Sequence, residues 1–82
     1  MVLENNIWSG GRITLDPAIC NGKPTVRGLR ITVHTILDLL SAGEDSSEIL
    51  HQYPALEVED IQACLAFAAK MTNHSYRVRE IA

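Results

Sequence analysis

The chain has 82 residues, with seven lysines and arginines against ten aspartates and glutamates, for a net charge of −3. One small domain is all this length allows, and a domain of about this size hides only roughly 60% of the surface of its unfolded chain. No apolar run is long enough to span a bilayer, and the first eight residues contain Glu4, Asn5 and Asn6 rather than the apolar segment of a secretory leader. The expectation is a soluble cytoplasmic domain in which Cys20 and Cys64, each with apolar neighbours, stay reduced. Self-association is the simplest way to enlarge so small a core, so a homodimer is expected.

The charge is unevenly placed. Residues 1–32 carry Arg12, Lys23, Arg27 and Arg30 against Glu4 and Asp16, a balance of +2. Residues 33–69 have no lysine or arginine and carry Asp38, Glu44, Asp45, Glu48, Glu57, Glu59 and Asp60, a balance of −7. Residues 70–82 return to +2, with Lys70, Arg77 and Arg79 against Glu80. Phosphate would be drawn to the ends and repelled by the middle; a basic protein would see the reverse.

In chain order, residues 1–11 read as a flexible arm ended by Gly10-Gly11, and residues 12–82 as the single domain. Residues 12–31 form a small β element. Arg12-Ile13-Thr14-Leu15 is β-like and is stopped by Asp16-Pro17. Asn21-Gly22 signals a tight turn, and Pro24, then Arg27-Gly28, punctuate the rest of the element. Gly22, Pro24, Gly28, Gly43 and Pro54 are read as structural turn residues.

From Thr32, an N-cap candidate, the period becomes helical: Val33, Ile36, Leu37 and Leu40 form one stripe, and Gly43 can take the left-handed stop. Asp45-Ser46-Ser47-Glu48 opens a short second helix with Ile49, Leu50 and Tyr53 inward, halted by Pro54. The third helix comes after Ala55-Leu56 and ends near Asn73, with Val58, Ile61, Leu65 and Ala68 on its apolar face and Cys64 and Met71 beside it. Ala63, Ala66 and Ala69 smooth one side, for close packing within the domain or between copies. Residues 32–73 thus hold three helices, and residues 74–82 are a tail.

Three helices with a short second one match a helix-turn-helix layout, in which the last helix reads DNA through its first turns. That place is held here by Glu57, Val58, Glu59 and Asp60. Three carboxylates are unsuited to a DNA groove, so nucleic acid, if touched, falls to Lys23, Arg27 and Arg30. Glu57, Glu59 and Asp60 suit a basic protein partner instead. In Arg27-Gly28-Leu29-Arg30, the glycine permits a tight turn presenting two guanidinium groups to phosphate or carboxylate.

Enzymatic and metal chemistry find little support. His34, His51 and His74 share no metal-ligand spacing with one another or with the cysteines. Asp16, Asp38 and Asp60 each have a turn or helix explanation, and Gly10-Gly11 lacks the Lys-Ser/Thr and helix of a phosphate loop. A non-enzyme without cofactor or metal is expected.

The run Pro17-Ala18-Ile19-Cys20-Asn21-Gly22-Lys23-Pro24-Thr25-Val26-Arg27-Gly28-Leu29-Arg30-Ile31-Thr32-Val33 resembles the signature of the domain-of-unknown-function family numbered 433. Leu39-Leu40-Ser41-Ala42-Gly43, Ser47-Glu48-Ile49-Leu50, Tyr53-Pro54-Ala55-Leu56 and Glu59-Asp60-Ile61 fit it as well, so that the resemblance covers about residues 11–70. It implies a mainly α fold, a homeodomain-like three-helix bundle behind a small β-hairpin. It also implies the antitoxin of a toxin–antitoxin pair, whose toxin is a PIN-like ribonuclease and which binds its own promoter as a dimer. Gly22, Pro24, Gly28, Arg30 and Pro54 match the family pattern; Arg30, with Arg27, is the expected contact. A DNA-binding regulator without a toxin, and a non-catalytic adaptor, are the alternatives.

Overall fold

The computed structural model describes residues 7–8 and 10–73. Short strands β1 (Ile7–Trp8), β2 (Ile13–Thr14) and β3 (Thr25–Val26) form a three-stranded antiparallel sheet in that order. Helices α1 (Val33–Ser41), α2 (Ser46–Gln52) and α3 (Val58–Met71) complete the chain order. The mainly α architecture with an N-terminal hairpin is therefore the one expected from the sequence. The arm is not: Ile7 pairs with Thr14 and Trp8 with Ile13, so residues 7 and 8 belong to the sheet and Gly10 and Gly11 turn the chain between β1 and β2. The tail, residues 74–82, lies outside the described residues.

Each helix boundary has a local cause. The Thr32 hydroxyl caps α1 by accepting the Thr35 amide at 3.1 Å. At the other end the Gly43 amide donates to Leu40 O and the Glu44 amide to Leu39 O, a Schellman stop with Gly43 at φ +95°. The Asp45 carboxylate caps α2 through the Glu48 amide at 2.9 Å.

The turns in the β element are tighter than the sequence suggests. Cys20, Asn21 and Gly22 have φ of +51°, +58° and +81°, three left-handed residues in a row. Arg27 and Gly28, at φ +48° and +72°, form a hairpin turn of the type I′ sign pattern, closed by the Leu29 amide on Val26 O at 2.8 Å. A left-handed backbone is uncommon for arginine and strains it, which directs attention to what its side chain does.

The core joins sheet and helices: Ile13, Val26, Val33, Ile36, Ile49, Leu56, Ile61, Ala63, Cys64 and Phe67 are buried. Along α3 the buried face is Asp60, Ile61, Ala63, Cys64 and Phe67. This corrects the expected stripe, because Val58 and Leu65 are 45% and 49% exposed. The core turns α3 so that Asp60, and not Val58 or Leu65, faces inward with Ile61, Cys64 and Phe67. Among the described residues, no helix is long and apolar enough to cross a membrane.

Candidate functional site: a buried carboxylate and the surfaces around it

Asp60 is fully buried. Its carboxylate accepts four hydrogen bonds: Arg12 Nη1 to Oδ1 at 2.8 Å, Arg27 Nε to Oδ1 at 3.0 Å, Arg27 Nη2 to Oδ2 at 2.8 Å, and the Glu57 amide to Oδ2 at 2.8 Å. Arg27 thus grips the carboxylate with a two-pronged fork, the strongest geometry for this pair. Its Nη2 also donates to Ala55 O at 2.7 Å, and Arg12 Nη1 bridges to Glu57 Oε1 at 2.8 Å.

The sheet places the two guanidinium groups side by side. The Arg27 amide donates to Arg12 O at 2.8 Å, so the two arginines are neighbours across strands. The Gly28 amide donates to Thr14 Oγ1 at 2.9 Å, and that hydroxyl lies 3.1 Å from the hydroxyl of buried Thr25. These bonds fix the strained turn over β2 and aim Arg27 at the N-terminus of α3. The result is an ionic clasp from sheet to α3.

Burial is the largest single influence on Asp60 and would raise its pKa; the bonds from Arg27, the Glu57 amide and Arg12 outweigh it, and the net direction is down. Hydrogen bonds to Glu57 and Asp60 raise the Arg12 pKa, and the bond to Asp60 raises that of Arg27. The clasp is charged at neutral pH. Cys64 is pushed up to about 11 by burial and by nearby Asp60, so it is a neutral thiol.

Two predicted contacts are therefore corrected. Asp60 is closed off from any partner. Arg27 is engaged at its guanidinium by Asp60 and Ala55, so Arg27 and Arg30 do not form a paired guanidinium display. Arg30 and Lys23 are exposed, and Glu59 is exposed. Glu57 is exposed but held by Arg12. Gly22, Gly28 and Gly43 all occupy left-handed turns. Pro24 is half-buried and Pro54 exposed, just past the end of α2. Arg12 is the site residue that sequence reasoning missed. The available signal was Asp60 itself, which falls on the same helical face as Cys64 and Phe67 and needs a cation if buried.

Two concavities lie on the surface of the described residues. One, of about 300 Å³, lies between α1 and α3 and is lined by Val33, His34, Leu37, Phe67, Ala68 and Met71 among others. A shallower one runs along α3 beside Ala66, Ala69, Lys70, Thr72 and Asn73. Among the described residues, no group of three or more His, Cys, Asp or Glu side chains is placed to hold a metal ion.

A three-helix domain with an N-terminal hairpin, stapled by arginine to a buried carboxylate, is the class of structure these observations define. The family model "Protein of unknown function (DUF433)" matches residues 13–68, and the chain belongs to that family. It is 32% identical over 56 residues to the uncharacterized protein y4eO of Sinorhizobium fredii (strain NBRC 101917 / NGR234), a match covering 68% of this chain and 25% of that protein. The crystal structure of a DUF433 member from Anabaena variabilis ATCC 29413, at 2.00 Å resolution, is similar with a TM-score of 0.68 and 30% identity, over 74% of this chain and 59% of that one. The matches thus span a quarter of the first relative and under two thirds of the second.

Proposed function

We propose that this chain is an antitoxin-like regulator, a non-catalytic module that binds and neutralises a PIN-like ribonuclease toxin. The observation that carries the reading is the outward surface of the helical half. Glu48, Glu57 and Glu59 are exposed there, with Glu44 half-buried, and no lysine or arginine intervenes before Lys70. An RNA-cleaving partner carries basic charge around its substrate path, and this surface complements it. With Arg27 committed to Asp60, Arg30 is the remaining arginine of the hairpin turn able to reach an acidic metal site on such a partner, with Lys23 exposed on the same β element.

Co-expression with the product of the neighbouring gene tests the reading. A complex that protects RNA is expected, weakened by the pair Glu48→Lys and Glu59→Lys and released from inhibition by Arg30→Ala. Absence of a complex removes the antitoxin function. Promoter binding is the second reading, favoured by exposed Lys23 and Arg30, whose side chains have no partner among the described residues. It requires log affinity to fall against log salt by about 0.9 per phosphate contact.

A further inference from the structure

We propose that Asn21 is a latent modification site: its side-chain amide is set to be lost by intramolecular deamidation, and the folded turn holds that reaction back. The inference is independent of the toxin reading. Asn21 is exposed, and among Asn5, Asn6, Asn21 and Asn73 it is the one followed by glycine. Glycine has no side chain to shield its own amide. In an open chain the Gly22 nitrogen is therefore free to attack Cγ of the Asn21 side chain.

The step balances within the chain and with water. A bond forms between Gly22 N and Asn21 Cγ, the Cγ–Nδ2 bond breaks, and ammonia leaves with the proton of the Gly22 amide. The product is a five-membered succinimide. Water then hydrolyses one of its two carbonyl–nitrogen bonds. Opening at Cγ gives aspartate; opening at the main-chain carbonyl gives isoaspartate, with the backbone rerouted through Cγ.

The fold opposes the first bond in two ways. Asn21 is held at φ 58° and ψ 31°, which sets the Gly22 nitrogen nearly opposite Asn21 Cβ across the Cα–C bond. Ring closure needs the two on the same side. The Gly22 amide also donates to Ile19 O at 3.0 Å, which opposes release of the proton that the attack displaces. The next residues lock the turn in place: the Lys23 amide donates to Cys20 O at 3.1 Å, and Pro24 O accepts the Val33 amide at 2.9 Å. Asn21 can rotate into the reactive geometry only when the chain between β2 and the start of α1 lets go, so deamidation records local opening. Either product places a new carboxylate beside exposed Lys23. Isoaspartate also lengthens the main chain by a carbon atom, which the locked turn does not accommodate.

The test is peptide mass spectrometry of the full chain incubated at mildly alkaline pH, in native buffer and in guanidinium chloride. Conversion is read as replacement of NH2 by OH in the peptide that contains Asn21. In guanidinium chloride Asn21 should convert faster than Asn5, Asn6 and Asn73, and Gly22→Ala should slow it several-fold. In native buffer conversion at Asn21 should be at least about tenfold slower than in denaturant. The converted chain, returned to native buffer, should unfold at a lower denaturant midpoint. Equal native and denatured rates, a denatured rate no faster than at the other asparagines or untouched by Gly22→Ala, or an unchanged midpoint after conversion would each overturn the proposal.

Discussion

Replacing Asp60 with asparagine removes one charge from the centre of the clasp while keeping its shape. In the native domain both carboxylate oxygens receive hydrogen bonds, from Arg12, from Arg27 twice and from the Glu57 amide. An asparagine offers one oxygen to these donors, and its NH2 group is forced against at least one of them. Hydrogen bonds to charged groups contribute about 1.5–3 kcal/mol each. Part of that loss is offset because a charge no longer has to be buried. The expected net cost for Asp60 is about 2–4 kcal/mol. Globular chains of 82 residues have about 4–12 kcal/mol of stability in total, so the variant should lose a large share of it. Urea unfolding followed by circular dichroism measures this as a lowered midpoint with an unchanged slope. The same variant carries a pH signature. The folded Asp60 pKa lies below its ordinary value, so its contribution is present above about pH 4 and is lost as pH falls through the folded value. Wild type should therefore lose stability on that acid limb, and Asp60→Asn should show a flatter one. A midpoint shift of less than about 0.5 kcal/mol, the scale of ordinary surface substitutions, would refute the view that this carboxylate holds the sheet to α3.

The same geometry makes three further outcomes testable. Gly28→Ala should destabilise by about 1 kcal/mol or more in thermal or urea unfolding; no atom lies within 4 Å of the added methyl, so the cost comes from the left-handed backbone at φ +72° alone. Phe67→Ala should cost about 3–5 kcal/mol, because the ring is 7% exposed within the core, and an unfolding midpoint close to wild type would show that α3 is not seated on it. Cys64 should react with a thiol reagent far more slowly than half-buried Cys20 at neutral pH; with its folded pKa raised to about 11, its contribution to stability is complete below the unfolded value near about 8.5 and is lost as pH rises through the folded value. Equal labelling rates at the two cysteines would contradict that burial.

The helices were legible because each boundary is written locally. Thr32, Asp45 and Gly43 announce caps and a stop in their immediate neighbourhood, and the structure uses all three. Two things were not legible. The strand at residues 7–8 depends on pairing with Ile13 and Thr14 rather than on any pattern of its own. The clasp depends on residues 12, 27 and 60, brought together by tertiary structure. From spacing alone, Glu57, Glu59 and Asp60 look alike as acidic residues favoured near a helix N-terminus. Rotation of the helix by the core separates them, leaving Glu59 in water and Asp60 at 0% exposure. The same rotation exposes Val58 and Leu65, so one shift in the reading of α3 moved both a charge inward and two apolar groups outward.

That rotation bears on what the domain recognises. A helix-turn-helix protein meets DNA with the outer face of its last helix, where amide, hydroxyl and guanidinium groups reach base edges. Here the corresponding face presents Glu57, Val58, Glu59, Gln62 and Leu65, of which Gln62 alone has a side chain of the usual reading kind. Arg12 and Arg27, two of the four basic residues in the first 32, spend their hydrogen bonds inside the fold. Arg30 and Lys23 are left to meet an anion, and they sit in the β element rather than on the helical face. Among the described residues, the exposed cations Lys23 and Arg30 lie on the hairpin side, and the helices expose carboxylates and apolar groups as far as Lys70 near the end of α3. Under the proposed function, the partner is expected to present a basic surface with apolar patches to the helical side, which a uniform polyanion does not have.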